Sequence, residues 1–102
     1  MMQGDAYGLP FEIMTGNGLA DGETFAEIEL SMAHLRKSLT QREIKYLPEE
    51  KAFIALLTQE ETMLLHSGKQ PIQLRVKTLK GDVIGIEMGD IDVIASLSKV
   101  VL

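Results

Sequence analysis

The chain has no cysteine and no tryptophan, and its 102 residues include three prolines, two tyrosines and three phenylalanines. Without cysteine it has no disulfides, thiolate metal ligands or cysteine nucleophiles. Without tryptophan it lacks a side chain that sugar-binding surfaces favour. No apolar run approaches the ~20 residues that span a bilayer, so a membrane protein is not expected. The segment Met1–Ala6 lacks the basic and apolar regions of a signal peptide, so none is expected.

The composition is that of a folded domain, with 45% hydrophobic residues and a net charge of −5. This length predicts one domain over residues 1–102 with one modest core. Residues 1–33 carry six acidic side chains and no lysine or arginine, whereas residues 34–51 are net basic. No concentrated basic surface is present, so nucleic acid is not an expected partner. The uneven charge has two interpretations. The acidic and basic ends could steer copies or partners towards each other, or they could be ordinary solvated faces.

The clearest pattern is an antiparallel hairpin between Gln70 and Met88. From Gln70 to Thr78, apolar and polar side chains alternate, which is the period of a half-buried strand. A turn follows at Leu79–Asp82, and Val83–Met88 is predicted to return as the second strand.

Further strands and one helical turn complete the predicted fold. Thr58 with Glu61 forms a capping box that predicts a short helical turn through Leu65. The other predicted strands are Ala6–Met14, Phe25–Met32, Leu35–Leu39, Ile44–Tyr46, Ala52–Leu57, Ile91–Ile94 and Lys99–Leu102. This pattern predicts an all-β fold, an antiparallel two-sheet immunoglobulin-like sandwich with one short helical turn near Thr58–Leu65.

No pattern of catalytic or metal-binding residues stands out. The loop 16–22 lacks the G-x-G-x-x-G spacing of a phosphate cradle and the alternating aspartates of a calcium loop. His34, predicted to be a surface strand residue, and His66, predicted to cap the end of the helical turn, are isolated, so no zinc pair is predicted. Asp90 and Asp92 share a strand face, which fits an acid–base pair or, better, a solvent-facing acidic edge. We therefore predict no catalytic residue, no metal, no cofactor and no enzyme activity.

Two segments are candidates for binding a partner protein. Tyr7, Leu9, Pro10 and Phe11 form an apolar strand that could dock on a sheet edge, although core packing is the stronger interpretation. The second candidate is the terminal strand, with Val100, Val101 and Leu102.

Three segments resemble a known group of proteins. They are Leu57–Leu65, which contains Leu-Thr-Gln-Glu-Glu-Thr, then Ile72–Asp82 and Ser96–Leu102. With the opening Gln3–Pro10, they are similar to small prophage-encoded proteins of Gram-positive bacteria. That group resembles the N-terminal domain of the phage baseplate upper protein.

The resemblance implies a β-sandwich that attaches within a phage tail or baseplate. The implied partners are other phage structural proteins, and the protein could also associate with itself into a homo-oligomer. Such a protein would be made in the bacterial host cytoplasm and then join the virion. No catalytic residues carry over from the group. The alternative is a small-ligand or carbohydrate-binding module that uses loops at one end of the sandwich.

Overall fold

A computed structural model of the protein describes residues 1–93, with the backbone alone between residues 87 and 92. This part of the chain is an all-β fold with one short helix. The strands are β1 (Tyr7–Phe11), β2 (Met14–Thr15), β3 (Gly18–Leu19), β4 (Phe25–Met32), β5 (Leu35–Ser38), β6 (Ile44–Leu47), β7 (Ala52–Leu57), β8 (Gly68–Thr78) and β9 (Val83–Val93), and helix α1 is Gln59–Met63.

The strands form two main sheets and a small hairpin, and every pair is antiparallel. One sheet has the order β1-β7-β6 and the other has the order β5-β4-β8-β9, while β2 pairs with β3. Buried side chains from both main sheets belong to one apolar core.

The larger sheet forms because its two central strands alternate in phase. Ile28 lies opposite Val76, and Leu30 lies opposite Leu74. All four side chains are buried, and those of Ile28, Leu30 and Val76 are fully enclosed. Directly opposed residues of antiparallel strands project to the same face, so this register places one apolar row against the core.

Aromatic rings fill the smaller sheet's side of the core. Phe53 is fully buried, and its ring centroid lies 5.6 Å from that of Phe11 and 5.1 Å from that of Tyr46. The three rings come from β7, β1 and β6, so this cluster joins all three strands of the sheet.

The predicted capping box at the helix start is confirmed. The Thr58 hydroxyl accepts from the Glu61 N–H, and the Glu61 carboxylate accepts from the Thr58 N–H. One turn later, the buried Thr62 hydroxyl donates to the carbonyl oxygen of Asp5 at 2.7 Å. This hydrogen bond links the helix to the start of the chain.

Three sequence predictions need correction. Val83–Met88 and Ile91–Ile94 are not separate strands, because β9 continues to Val93 across a β-bulge opposite Ile72 and Gln73. The loop after Met14 contains the short β2–β3 hairpin. His34 lies in the exposed turn between β4 and β5, not in a strand. Residue 94 and the predicted strand Lys99–Leu102 lie outside the described residues.

Truncation of the central ring tests the packing. We expect Phe53→Ala to lower the free energy of unfolding by about 3–5 kcal/mol, since it leaves a cavity between two rings. Leu79→Ala is the control, because Leu79 is 73% exposed in the turn after β8, and its effect should stay within ~0.5 kcal/mol. Urea unfolding measures both; equal losses would contradict this description of the core.

Candidate interaction surface

The first predicted partner-binding segment is strand β1, and most of its apolar surface faces the core. Leu9 and Phe11 are 7% and 6% exposed, whereas Pro10 is exposed and Tyr7 is half-buried. β1 is an edge strand, so it offers a partner its backbone edge, Pro10 and part of Tyr7. Docking of a partner at β1 stays a prediction. The side chains of Leu9 and Phe11 are buried, so they would not be part of the contact.

The second predicted segment, Val100, Val101 and Leu102, lies outside the described residues. The backbones of Asp90 and Asp92 pair with Pro71 and Lys69 on β8. Their positions are therefore on strand β9, the edge strand of the larger sheet.

Strand β9 carries the exposed apolar side chains that the sequence prediction missed. Val83, Ile84 and Ile86 are 63%, 49% and 37% exposed. Ile84 lies opposite Val76 and Ile86 lies opposite Leu74, so both isoleucines are on the core-facing side of the sheet. They stay half open to solvent although their neighbours on β8 are buried.

The hairpin turn shows which backbone groups of β9 point away from β8. Thr78 donates its N–H to the Asp82 carbonyl oxygen at 2.8 Å, and Gly81, with φ of 100°, makes the turn. Hydrogen-bonded and non-hydrogen-bonded pairs alternate from there. The N–H and C=O groups of Val83 and Gly85 consequently point to the open edge, and those of Ile84 point to β8.

The opposite edge of the same sheet is short and partly occupied. Strand β5 ends at Ser38, whose N–H donates to the Glu43 carboxylate at 3.2 Å and whose C=O accepts from the Glu43 N–H at 3.0 Å. Strand β5 is also only four residues long. Short edges with charged groups resist pairing with another chain. Among the described strands of this sheet, β9 is the one that offers a long free edge.

The outer face of the larger sheet is polar and slightly concave. A depression of about 390 Å³ is lined by Glu29, Ser31, Ala33, Arg36, Gln73 and Arg75. Within the described part of the chain, neither Arg36 nor Arg75 makes an ion pair. Two guanidinium groups beside hydroxyl and amide groups can bind a polar or anionic ligand.

A charged residue lies on the core-facing side of the larger sheet. Lys37 is opposite Leu30 and only 4% exposed. Its ammonium donates to both Glu61 carboxylate oxygens at 2.7 and 2.6 Å, and a Glu43 oxygen lies at 3.8 Å. The alternation of Leu35, Lys37 and Leu39 in the sequence was the signal that could have placed Lys37 on this face.

The paired carboxylate titrates below its usual range. Burial raises the pKa of Glu61, but its hydrogen bonds with Lys37 and the Thr58 N–H outweigh burial, so the pKa lies below the usual 4.5. Burial likewise opposes the hydrogen bonds that Glu27 accepts from Thr40, Ser38 and the Ile28 N–H, and the pKa of Glu27 is also lowered. The Glu61 carboxylate thus links β5 to the start of the helix, and the Glu27 carboxylate links β4 to the end of β5.

The other candidate groups serve local structure. The Asp21 carboxylate accepts from the Glu23 N–H at 2.8 Å and from the Thr24 hydroxyl, so it is engaged within its own loop. Hydrogen bonding from Glu23 lowers the pKa of Asp21. His34 and His66 are both exposed. Among the described residues, no three His, Asp or Glu side chains are arranged to hold a metal, and no helix is long and apolar enough to cross a membrane.

The ion pair between Lys37 and Glu61 makes the free energy of unfolding depend on pH in the acidic range. A carboxyl group with a lowered pKa in the folded state stabilises fully above about pH 4.5, and this stabilisation is lost as pH falls through the folded pKa. We expect Glu61→Gln to cost about 2–3 kcal/mol at pH 7, because the buried ammonium of Lys37 loses its main counter-charge. The variant should also lose less stability than the parent between pH 7 and pH 3.

Glu60→Gln is the matched control, since Glu60 is exposed in the same helical turn. It should change the free energy of unfolding by no more than ~0.5 kcal/mol at pH 7. Urea titrations at several pH values give both quantities. Equal effects of the two substitutions, with the same acid dependence, would contradict a stabilising role for the ion pair.

Comparisons with known proteins leave the function to be inferred from these features. No protein-family model matches the chain, and no significant match is found among curated proteins or solved structures. The open edge of β9 and the polar face of the same sheet are therefore the two surfaces on which a proposal can be based.

Proposed function

We propose that the protein is a non-catalytic structural or protein-interaction module, associated with a phage or prophage tail or baseplate. The fold that accompanies this proposal is an immunoglobulin-like sandwich. Its partners are other phage structural proteins, and it is made in the host cytoplasm before it joins the virion. The support from sequence is the resemblance of Leu57–Leu65, Ile72–Asp82 and Ser96–Leu102 to small prophage proteins.

The observation that carries the proposal is the open edge of β9. It combines outward N–H and C=O groups at Val83 and Gly85 with apolar side chains at Val83, Ile84 and Ile86. Backbone hydrogen bonds from such an edge give affinity to a partner strand, and apolar side chains add buried area. Between Val83 and Ile86 there is no charged residue and no proline, the residues with which proteins protect exposed edges.

A second function has one observation in its favour. The polar depression with Arg36 and Arg75 suits a small polar ligand or a carbohydrate, although it lies on a sheet face and not at the loops. Binding there should be lost in Arg75→Ala and kept in Lys80→Ala, which changes an exposed cation in the hairpin turn. A glycan array without a hit, and unchanged chemical shifts with inorganic phosphate, would dispose of this alternative.

Quantitative mass spectrometry of purified particles tests the first function. The particles are induced from a lysogenic host in which the gene carries the parent sequence, Ile84→Lys or Leu79→Lys. The parent chain should be present at a ratio to the tail proteins that is constant between preparations. Ile84→Lys should lower this ratio about tenfold, because it adds a charge to the apolar edge.

Leu79→Lys is the control, since it makes the same change at a 73% exposed position outside the edge. It should be incorporated like the parent. Absence of the parent chain from particles that contain the other tail proteins would refute the tail-associated function. If both variants are incorporated equally, the β9 edge is not the surface that attaches the protein to the tail.

A further inference from the structure

We propose that the partner at the β9 edge is a second copy of this chain, and that two copies pair antiparallel about a two-fold axis at Gly85. The inference rests on the proposed function and specifies which protein pairs with the β9 edge. Two four-stranded sheets would then join into one continuous sheet of eight strands.

The segment Ile84–Ile86 of β9, Ile-Gly-Ile, is symmetric about Gly85. In an antiparallel pair with its axis at residue 85, residues equally distant from Gly85 lie opposite each other. Ile84 of one copy therefore faces the partner's Ile86, and the second pair repeats this contact. The half-exposed isoleucines on the core-facing side of the sheet would then pack against each other. An unrelated partner strand would not require the Ile-Gly-Ile symmetry.

The backbone of β9 is in phase with this pairing. The outward groups belong to Val83 and Gly85, so the two glycines would exchange N–H to C=O hydrogen bonds across the axis. A Cβ built on Gly85 meets nothing within 4 Å, so the space above the axis is open.

Charge is complementary in the same register. The partner's Glu87 takes the position opposite Val83, and Lys77 is the residue beside Val83 on β8. One acidic and one basic position thus fall in the same row across the interface, twice by symmetry. Val83 lies between these two positions, so they are two strands apart; between residues 83 and 87 the register places no like charges directly opposite each other, which would destabilise the pair.

The two-fold pairing limits the assembly to two copies, because it uses the same strand in both and leaves neither β9 edge free. At the other side of the joined sheet, strand β5 has only four residues, and the backbone N–H and C=O groups of Ser38 are bonded to Glu43. A ladder of about five residues buries less than the standard ~1,600 Å², so association should be micromolar.

Single cysteines in this cysteine-free chain test the register. In the proposed dimer the two Gly85 Cα atoms are about 5.5 Å apart, within disulfide range. The two Val83 Cα atoms are separated by four residues along the strands, about 13 Å, which is too far. Under mild oxidation of the full chain, Gly85→Cys should form covalent dimers at least about tenfold faster than Val83→Cys.

Sedimentation measures the association without substitutions at the interface. Between about 1 and 500 µM, the average mass of the parent chain should rise from 11.3 kDa towards twice that value. Ile84→Lys should remain monomeric, and Leu79→Lys should dimerise like the parent. Gly85→Pro is a second variant that should remain monomeric. It removes an N–H group that points away from β8 and leaves the hydrogen bonds within the hairpin intact.

A parent chain that stays monomeric throughout this range would overturn the self-pairing, as would equal cross-linking of the two cysteine variants. If Ile84→Lys is nevertheless excluded from particles, the edge binds a different tail protein and the proposed function stands. If the parent dimerises but is absent from particles, the function fails and the dimer stands.

Discussion

The position of the β9 edge depends on strand β8, which is paired on both of its sides. On one side it pairs with β4, through Ile72, Leu74 and Val76, and these side chains also form the larger sheet's part of the core. On the other side it holds β9 over its whole length. The core-facing row continues from β8 onto Ile84 and Ile86 of β9, which leaves part of an apolar face uncovered at the sheet edge.

The buried ion pair links that sheet to the helix. Lys37 extends from β5 across the core-facing side and meets Glu61, which also completes the capping box with Thr58. One carboxylate thus satisfies a buried ammonium and an N–H at the helix start. Because Glu43 contacts both Lys37 and the backbone of Ser38, the same group of charges occupies part of the β5 edge.

Strong alternation made much of the fold predictable. Phe25–Met32 and Ala52–Leu57 have the predicted bounds, and the capping box was read from Thr58 and Glu61. The bulge in β9 was not predictable, because it depends on a register shift opposite Ile72 that no local pattern records. The exposure of Ile84 and Ile86 was missed for a related reason: alternation shows which face a side chain is on, but not whether another layer covers that face. Lys37 was missed because a charged residue is seldom placed on a buried face without its partner.

Residue-resolved hydrogen exchange tests the central claim about the β9 edge most directly. The Ile84 N–H is bonded to β8 within one copy, whereas the N–H groups of Val83 and Gly85 point outwards. We expect Val83 and Gly85 to exchange fast in dilute protein and to become protected as the protein concentration rises, while Ile84 is protected at all concentrations. Fast exchange of Val83 and Gly85 at every concentration would contradict it.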